Sequence, residues 1–282
     1  RMNSLTSIME SYTNLSKNEK KIADYLLGSK DQSYNYTVQQ LAEKTGVTAS
    51  CIMRFTKKIG YDSYTNFRLD LAKESTDTNE PKETVEDFTK SDSLETLTDK
   101  LLLFYDNTLK KTYNYMNFHN LEKAVSIIKA SKRICVVAEG TSMLVGEDLA
   151  RKLMLAGVNT VFFEDAPTQL SQANNLTPDD CLVAISYSGK TKLTNLVIKL
   201  TAELGVPSIS ISQNVQTNMV KYATVPLYVP PLEPERKIGS VASRVACNMV
   251  TDILYLGTIK DDLNQAMSHV MRARSILQQL KN

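Results

Sequence analysis

The sequence predicts an α/β protein: a parallel five-stranded sheet flanked by helices, joined to a separate all-α N-terminal domain. Three observations carry this. Continuous apolar runs at 134–138, 160–163, 181–186, 207–212 and 224–229 alternate with helical segments. Strands apolar along their whole length belong to parallel sheets covered on both faces. Residues 1–75 hold short helical patterns and no such run, and residues 76–93 are rich in Thr, Ser, Asp and Glu around Asn79-Glu80-Pro81, the chemistry of a linker. A chain of 282 residues suits two domains. The expected division is 1–75, an acidic linker at 76–93, and 94–282.

Taken in order, Ser16 with Glu19 three residues on forms a capping box, after which Ile22, Tyr25 and Leu26 share a face and Gly28 ends the helix. A helix over Leu94–Tyr115 places Leu97, Leu101, Phe104 and Leu109 near helical spacing, and another runs through Leu121–Ala130. The strand at 134–138 leads through a glycine loop into a helix over Ser142–Ala156. The strand at 181–186 leads through a Ser/Gly loop into a helix over Thr191–Leu204. Two helices, Ile238–Lys260 and Asp261–Leu280, close the chain.

Composition excludes several classes. A hydrophobic share of 42% and a charged share of 23% are those of a soluble globular protein, not of a disordered chain. No run of 18 uncharged apolar residues exists to span a membrane, and Met2-Asn3-Ser4-Leu5 lacks the apolar run of a secretion signal; Arg1 reads as a cloning remnant. Cys51, Cys135, Cys181 and Cys247 are scattered, which suits a reducing cytoplasm. With only His119 and His269, a His-rich zinc site is out and Ser-His catalysis is poorly supplied. The net charge of +2 argues against nucleic acid only if the surface is uniform, and it is not: residues 1–75 carry +3, 76–99 carry −6, and the remainder +5.

The segment from Thr37 to Gly60 has the spacing of a helix-turn-helix. Ala42 is small where a second helix must cross, and Gly46, four residues on, suits a turn with positive φ. Val47, Ile52 and Phe55 would pin the second helix, and Thr48 would cap it. Its free face then carries Ala49, Ser50, Met53, Arg54, Lys57 and Lys58. In this motif the start of the second helix reaches base edges, so Thr48, Ser50, Met53, Arg54, Lys57 and Lys58 are the candidate DNA contacts, the lysines for phosphates. The competing reading is a helical hairpin with a basic solvated face. Cys51 reads as a packing residue rather than a redox sensor.

Two loops follow strands and precede helices: Ala138-Glu139-Gly140-Thr141-Ser142, and Ser186-Tyr187-Ser188-Gly189-Lys190-Thr191. Open α/β sheets bind ligands at the carboxyl ends of their strands, where helix N-termini favour phosphate. Ser142, Ser186, Ser188 and Thr191 add hydroxyls, and Gly140 and Gly189 let the backbone turn or approach an anion. Helix capping alone would explain Ser142 or Thr191, but not the whole second loop. There is no G-x-G-x-x-G and no complete Walker loop, which weighs against a nucleotide.

These residues resemble the RpiR family of bacterial transcriptional regulators, which join a helix-turn-helix domain to a SIS (sugar isomerase) domain. Residues 15–73 resemble the first, notably Thr48 through Phe55 and Lys58-Ile59-Gly60-Tyr61; residues 118–260 resemble the second, through Ser186-Tyr187-Ser188-Gly189-Lys190-Thr191. The resemblance implies a SIS-type sheet in which Ser142, Ser186, Ser188 and Thr191 bind the phosphate and sugar of an effector. Two positions depart from the family pattern. Ala138 stands where the first SIS loop commonly has Gly, and its methyl is expected to narrow the pocket floor. Cys51 stands where the family often has Thr.

Ser240 and Ser243, with Lys237 and Arg244, begin the helix after the sheet; each Ser could cap it or touch a sugar hydroxyl, and Ser240 joins the effector set. Glu233 and Glu235 could approach the loops as an isomerase base, though a surface carboxylate is the plainer reading. The reading reached is a cytoplasmic regulator of sugar-metabolism genes that binds operator DNA and senses a sugar phosphate as a homodimer or higher homo-oligomer. It has no membrane partner, cofactor, metal or catalytic residue. Helices 94–115 and 261–280 are candidate dimer elements. An aldose–ketose isomerase with an accessory helical domain is the alternative, and an interaction module with a degenerate pocket a third.

Overall fold

A computed structural model describes residues 4–28, 36–76, 88–233 and 239–279. The chain divides into two compact units, Arg1–Ser93 and Leu94–Asn282. Most of the expected linker, residues 77–87, lies outside the described residues, as do Glu235, Lys237 and Ile238.

Among the described residues the regular elements of the first unit are helical: α1 Ser4–Ser11, α2 Lys17–Gly28, α3 Val38–Thr45, α4 Ala49–Lys58 and α5 Tyr64–Thr76. Its core gathers Ile22, Leu41, Ile52, Phe55 and Phe67. Phe67 is the hub, with Phe55, Tyr61 and Tyr64 around its ring at 6.4, 5.4 and 6.1 Å between centroids. Such aromatic pairs add about 0.5–1.5 kcal/mol each beyond their buried area. Both helix starts are fixed locally. The Ser16 N–H donates to Glu19 Oε2 at 2.7 Å, as the capping box requires. A second box, Thr37 with Gln40, opens α3, in the Thr-x-x-Gln spelling such boxes take.

The second unit is a five-stranded, all-parallel sheet in the order β2-β1-β3-β4-β5: β1 Ile134–Ala138, β2 Thr160–Phe162, β3 Cys181–Ile185, β4 Ser208–Ser212 and β5 Val225–Tyr228. Every residue of β1, β3 and β4 is buried, as an apolar run covered on both faces demands. The helices are α6 Leu94–Tyr115, α7 Phe118–Ala130, α8 Ser142–Leu155, α9 Ala166–Asn174, α10 Lys192–Glu203, α11 Asn218–Tyr222, α12 Ala242–Ile259 and α13 Leu263–Gln279. Alternate strand residues serve opposite faces. Ile134, Val136, Val183, Ile185 and Ile209 pack with Leu149 of α8 and Val250 of α12. Cys135, Val137, Leu182 and Ala184 pack with Ala173 of α9 and Val197 of α10.

Several expectations shift. The helix placed at Ile238–Lys260 begins at Ala242: Gly239 and Ser240 lie outside any regular element and Val241 is the residue at its cap. The helix placed from Leu121 begins at Phe118, where Asn117 Oδ1 accepts from the Asn120 N–H at 2.9 Å. α9 and α11 were not foreseen; α9 is announced by Asp165 as cap and Pro167 in its first turn.

Ala138 behaves differently from expectation. A Cβ on Gly146 of α8 would stand 3.2 Å from the Ala138 methyl and 3.3 Å from both Val136 and Phe162. The methyl is therefore turned toward α8 and housed by Gly146, and Ala138 does not line the cavity described below.

Candidate functional site

In the first unit, α3 ends at Gly46, whose φ of 65° places it in the left-handed region. α4 begins with Thr48, whose Oγ1 accepts from the Cys51 N–H at 3.3 Å. Cys51, Ile52, Phe55 and Thr56 are buried, so α4 has one core face. Ser50, Met53, Arg54, Lys57 and Lys58 are exposed on the other; Ala49 instead packs partly against the core.

Lys58 is committed within the unit. Its ammonium lies 2.8 Å from Glu19 Oε2, tying the end of α4 to the start of α2. Burial pushes the Glu19 carboxyl up, but the Lys58 ammonium and the Ser16 backbone and hydroxyl overcome it and bring the pKa to about 2. A carboxyl lowered on folding stabilises the fold above its unfolded pKa near 4.5, and this contribution is lost as pH falls toward 2. Glu19→Gln is expected to cost about 1 kcal/mol at pH 6, with Lys58 half in solvent, and the difference from wild type should vanish toward pH 2. Calorimetric unfolding of the full chain checks this; a pH-independent difference would contradict it.

In the second unit the chain leaves β1 toward β2 on one side, and leaves β3 toward β4 on the other. The β1/β3 boundary is thus the switch point of the sheet, where such folds leave a crevice at the carboxyl ends of the strands. A cavity of about 260 Å³ lies there. It brings together Ser142 from the first loop, Ser186, Ser188 and Thr191 from the second, and Ser240. Gly140 and Gly189 do not line it. Their φ values of 61° and 68° shape the turns instead. A Cβ on Gly189 would meet Val215 at 2.6 Å, so neighbour crowding as well as φ requires glycine there.

The hydroxyls of the second loop are not spent on capping. Thr191 is the cap residue of α10 but makes no side-chain bond to that helix; it pairs with Ser186 Oγ at 2.8 Å. Thr141 caps α8 in position only, and its hydroxyl meets Ser240 Oγ at 3.0 Å across the cavity mouth. Ser188 Oγ accepts from the Lys190 N–H at 3.2 Å. Two helix N-termini without side-chain caps, next to a cluster of hydroxyls, can hold a phosphate. Gly189-Lys190-Thr191 has the spelling of a Walker tail, yet Ala184 stands where that motif needs its first glycine, inside β3.

Sequence reasoning weighed Ser243 as a sugar contact and placed Arg244 beside it, but left both out of the effector set and missed the other groups that support and complete this cavity. Glu139, Thr141, Tyr187, Ser243, Arg244 and Cys247 also line it. Ser243 and Cys247 of α12 are four residues apart with Arg244 between them and Ser240 just ahead of the helix, so their helical spacing was the available signal. Two amides brace the loops. Asn195 Nδ2 donates to the Gly189 and Thr191 carbonyls at 2.8 Å each, while its Oδ1 accepts from the Met219 N–H. Gln169, buried in α9, donates to the Ala138 carbonyl and accepts from the Ala138 N–H, both at 3.0 Å. It takes the place of a strand partner where β2 has already ended.

The Tyr187 phenol is pushed up by burial, while hydrogen bonds from the Leu232 and Glu233 backbone and the Gln213 side chain pull the other way; it also donates to the Pro230 carbonyl. Glu233 Oε1 accepts from the Ser243 N–H at 2.8 Å, so the isomerase-base candidate serves as a cap for α12. All four cysteines are free and buried. Among the described residues no three His, Cys, Asp or Glu side chains gather as a metal site requires, and no helix is long and apolar enough to cross a membrane.

Comparison with known proteins adds sequence and fold likeness. Residues 2–78 match the family model of the rpiR-family helix-turn-helix domain, and residues 127–257 match that of the SIS domain. The chain is 28% identical over 281 residues to the uncharacterized HTH-type transcriptional regulator YfhH of Escherichia coli K12, covering 99% of this chain and 100% of that one. Among solved structures, the Vibrio vulnificus NanR protein complexed with ManNAc-6P is similar with a TM-score of 0.62 at 22% identity, covering 99% of both chains. The sugar isomerase domain of the RpiR transcription factor from Sphaerobacter thermophilus is similar with a TM-score of 0.57 at 21% identity, covering 64% of this chain and 98% of that one.

Proposed function

The chain belongs to the RpiR family of helix-turn-helix regulators with a C-terminal SIS domain, and on that premise we propose that it regulates sugar-metabolism genes by binding operator DNA and sensing a sugar phosphate. The observation that carries the sensing half is the hydroxyl-lined cavity at the β1/β3 switch point, bordered by two helix starts without side-chain caps. Ser142, Ser186, Ser188 and Thr191 hold the phosphate and adjoining sugar, Gly140 and Gly189 shape the turns that present them, and Ser240 closes the mouth. The likeness to NanR, which was solved with ManNAc-6P, makes N-acetylmannosamine 6-phosphate a sensible first probe.

The DNA-reading half is the exposed stripe of α4. Ser50, Met53 and Arg54 face base edges. Thr48 and Lys57 face phosphates, and Lys58 adds the ammonium hydrogens that Glu19 leaves open. The reading domain is 1–75 and the sensing domain 94–282, with 76–93 between them; the division of the chain after Ser93 supports this. The protein would work in the cytoplasm, beside the chromosome.

It would sense without turnover. Aldose–ketose isomerisation needs a base and a ring-opening acid. Glu233 is engaged in capping α12, and among the described residues Glu139 is the one carboxylate lining the cavity. A panel of hexose and pentose phosphates, with ManNAc-6P among them, tests the whole reading. At least one should raise the unfolding temperature, and none should show aldose–ketose exchange. A panel that shifts nothing would contradict the sensing role, and exchange would favour the isomerase.

A homodimer is part of the reading. α13 has 17 residues, yet Ala266 is its one buried residue, while Leu263, Met267, Met271, Ile276 and Leu277 are more than half exposed. Leu94 and Leu102 of α6 are 82% and 69% exposed. A helix that buries so little is marginal in water, and a second copy would cover both. Sedimentation should return twice the 31.5 kDa chain mass or a multiple of that; a monomer would refute it.

A further inference from the structure

Tyr187 belongs to the loop that carries Ser186, Ser188 and Thr191, and its hydroxyl reaches from there to a distant segment of chain. It donates to the Pro230 carbonyl at 3.0 Å and accepts from the Leu232 N–H at 2.7 Å and the Glu233 N–H at 3.3 Å. The Gln213 side chain also hydrogen-bonds this phenol, so its one proton and two lone pairs are shared among these neighbours. The residue is 8% exposed and also lines the cavity. One turn of chain is thus pegged to the loop by a single buried oxygen.

That turn is tied onward. Glu233 Oε1 accepts from the Ser243 N–H at 2.8 Å, at the first turn of α12. Ser243 and Arg244 line the cavity together with the loop, and among the described residues Arg244 is the one cation lining it. Ser240, just ahead of the helix, reaches Thr141 at 3.0 Å. A continuous hydrogen-bonded line therefore runs from the second loop, through Tyr187 and Glu233, to the α12 residues of the same cavity.

From this geometry we infer that Tyr187 is a positioning residue: its hydroxyl, acting with Glu233, sets the α12 wall against the loop and so fixes the affinity for the sugar part of the effector. This rests on the sugar-phosphate reading of the cavity. The loop hydroxyls that would hold the phosphate do not depend on the Tyr187 oxygen; the placement of Ser240, Ser243 and Arg244 does. Removing that oxygen strands Leu232 N–H, Glu233 N–H and the Pro230 carbonyl in a part-buried turn, which frees the cap rather than the ring.

The test is calorimetric titration of the full chain with the sugar phosphates of the panel above, ManNAc-6P included. Tyr187→Phe and Glu233→Ala should each weaken binding about tenfold, and the double variant should be no more than about twofold worse than the weaker single, because both break one line. Glu233→Gln keeps an oxygen that can accept from Ser243, and should stay within about twofold of wild type. A merely structural role would lower the unfolding temperature in all these variants without this pattern of coupling and rescue. Tyr187→Phe binding like wild type, or effects that simply add, would overturn the inference. Should Tyr187→Phe fail to fold, the Glu233→Ala and Glu233→Gln pair decides: equal affinities overturn the inference, and loss with rescue supports it. A wild type that binds no sugar phosphate would remove the underlying reading and the inference with it, a different result from a binding wild type with indifferent variants.

Discussion

Arg54→Ala is expected to weaken binding to an operator fragment by about ten- to a hundredfold, since a bidentate contact to a base edge contributes ~1–3 kcal/mol of discrimination. Arg54 lies on the exposed face of α4, one turn beyond Ser50 and opposite Ile52 and Phe55, which are fully buried. Removing its side chain takes nothing from the core, so the unfolding temperature should stay put. Lys57→Ala offers a contrast. A phosphate contact carries no sequence information, so its loss should weaken all DNA alike and lower the salt slope by about one. Fluorescence anisotropy at several salt concentrations separates the two. Unchanged affinity in Arg54→Ala would remove that residue from base recognition.

Ser188→Ala is expected to weaken sugar-phosphate binding about tenfold or more, the effect of one charge-assisted hydrogen bond to a phosphate oxygen. Its Oγ accepts from the Lys190 N–H near the start of α10, and the residue lines the cavity. The hydroxyl is exposed, so its removal leaves no buried group unpaired in the empty protein. DNA binding without effector should be unchanged, because Ser188 belongs to the other unit of the chain. Calorimetry with the sugar phosphate that passes the thermal panel reads the effect, and equal affinity would mean that the phosphate lies elsewhere.

The sequence made the architecture legible where one residue type has one steric use. Gly46 is an example: a left-handed turn between two apolar helices calls for glycine, and its φ is 65°. The buried runs of β1, β3 and β4 were equally plain, because only a doubly covered strand is apolar throughout. Half the cavity could be read the same way, since Ser186, Ser188 and Thr191 are neighbours in sequence. The other half could not. Tyr187 binds a turn more than forty residues away, Gln169 braces a strand end 31 residues before it, and Arg244 approaches the loop only because the sheet order is what it is. Such pairings depend on topology, which local pattern does not encode. Ala138 failed for a related reason: the direction of its methyl is set by which face α8 covers, and Gly146 supplies the room.

The central claim is that one chain couples sugar-phosphate binding to operator binding. It is tested most directly by titrating an operator fragment, selected from genomic DNA, with and without a saturating sugar phosphate. The account predicts a change in operator affinity of about five- to a hundredfold in either direction, an equal change in effector affinity when DNA is bound, and neither change in Ser188→Ala at the same effector concentration. An operator affinity that is the same with and without saturating effector would contradict it.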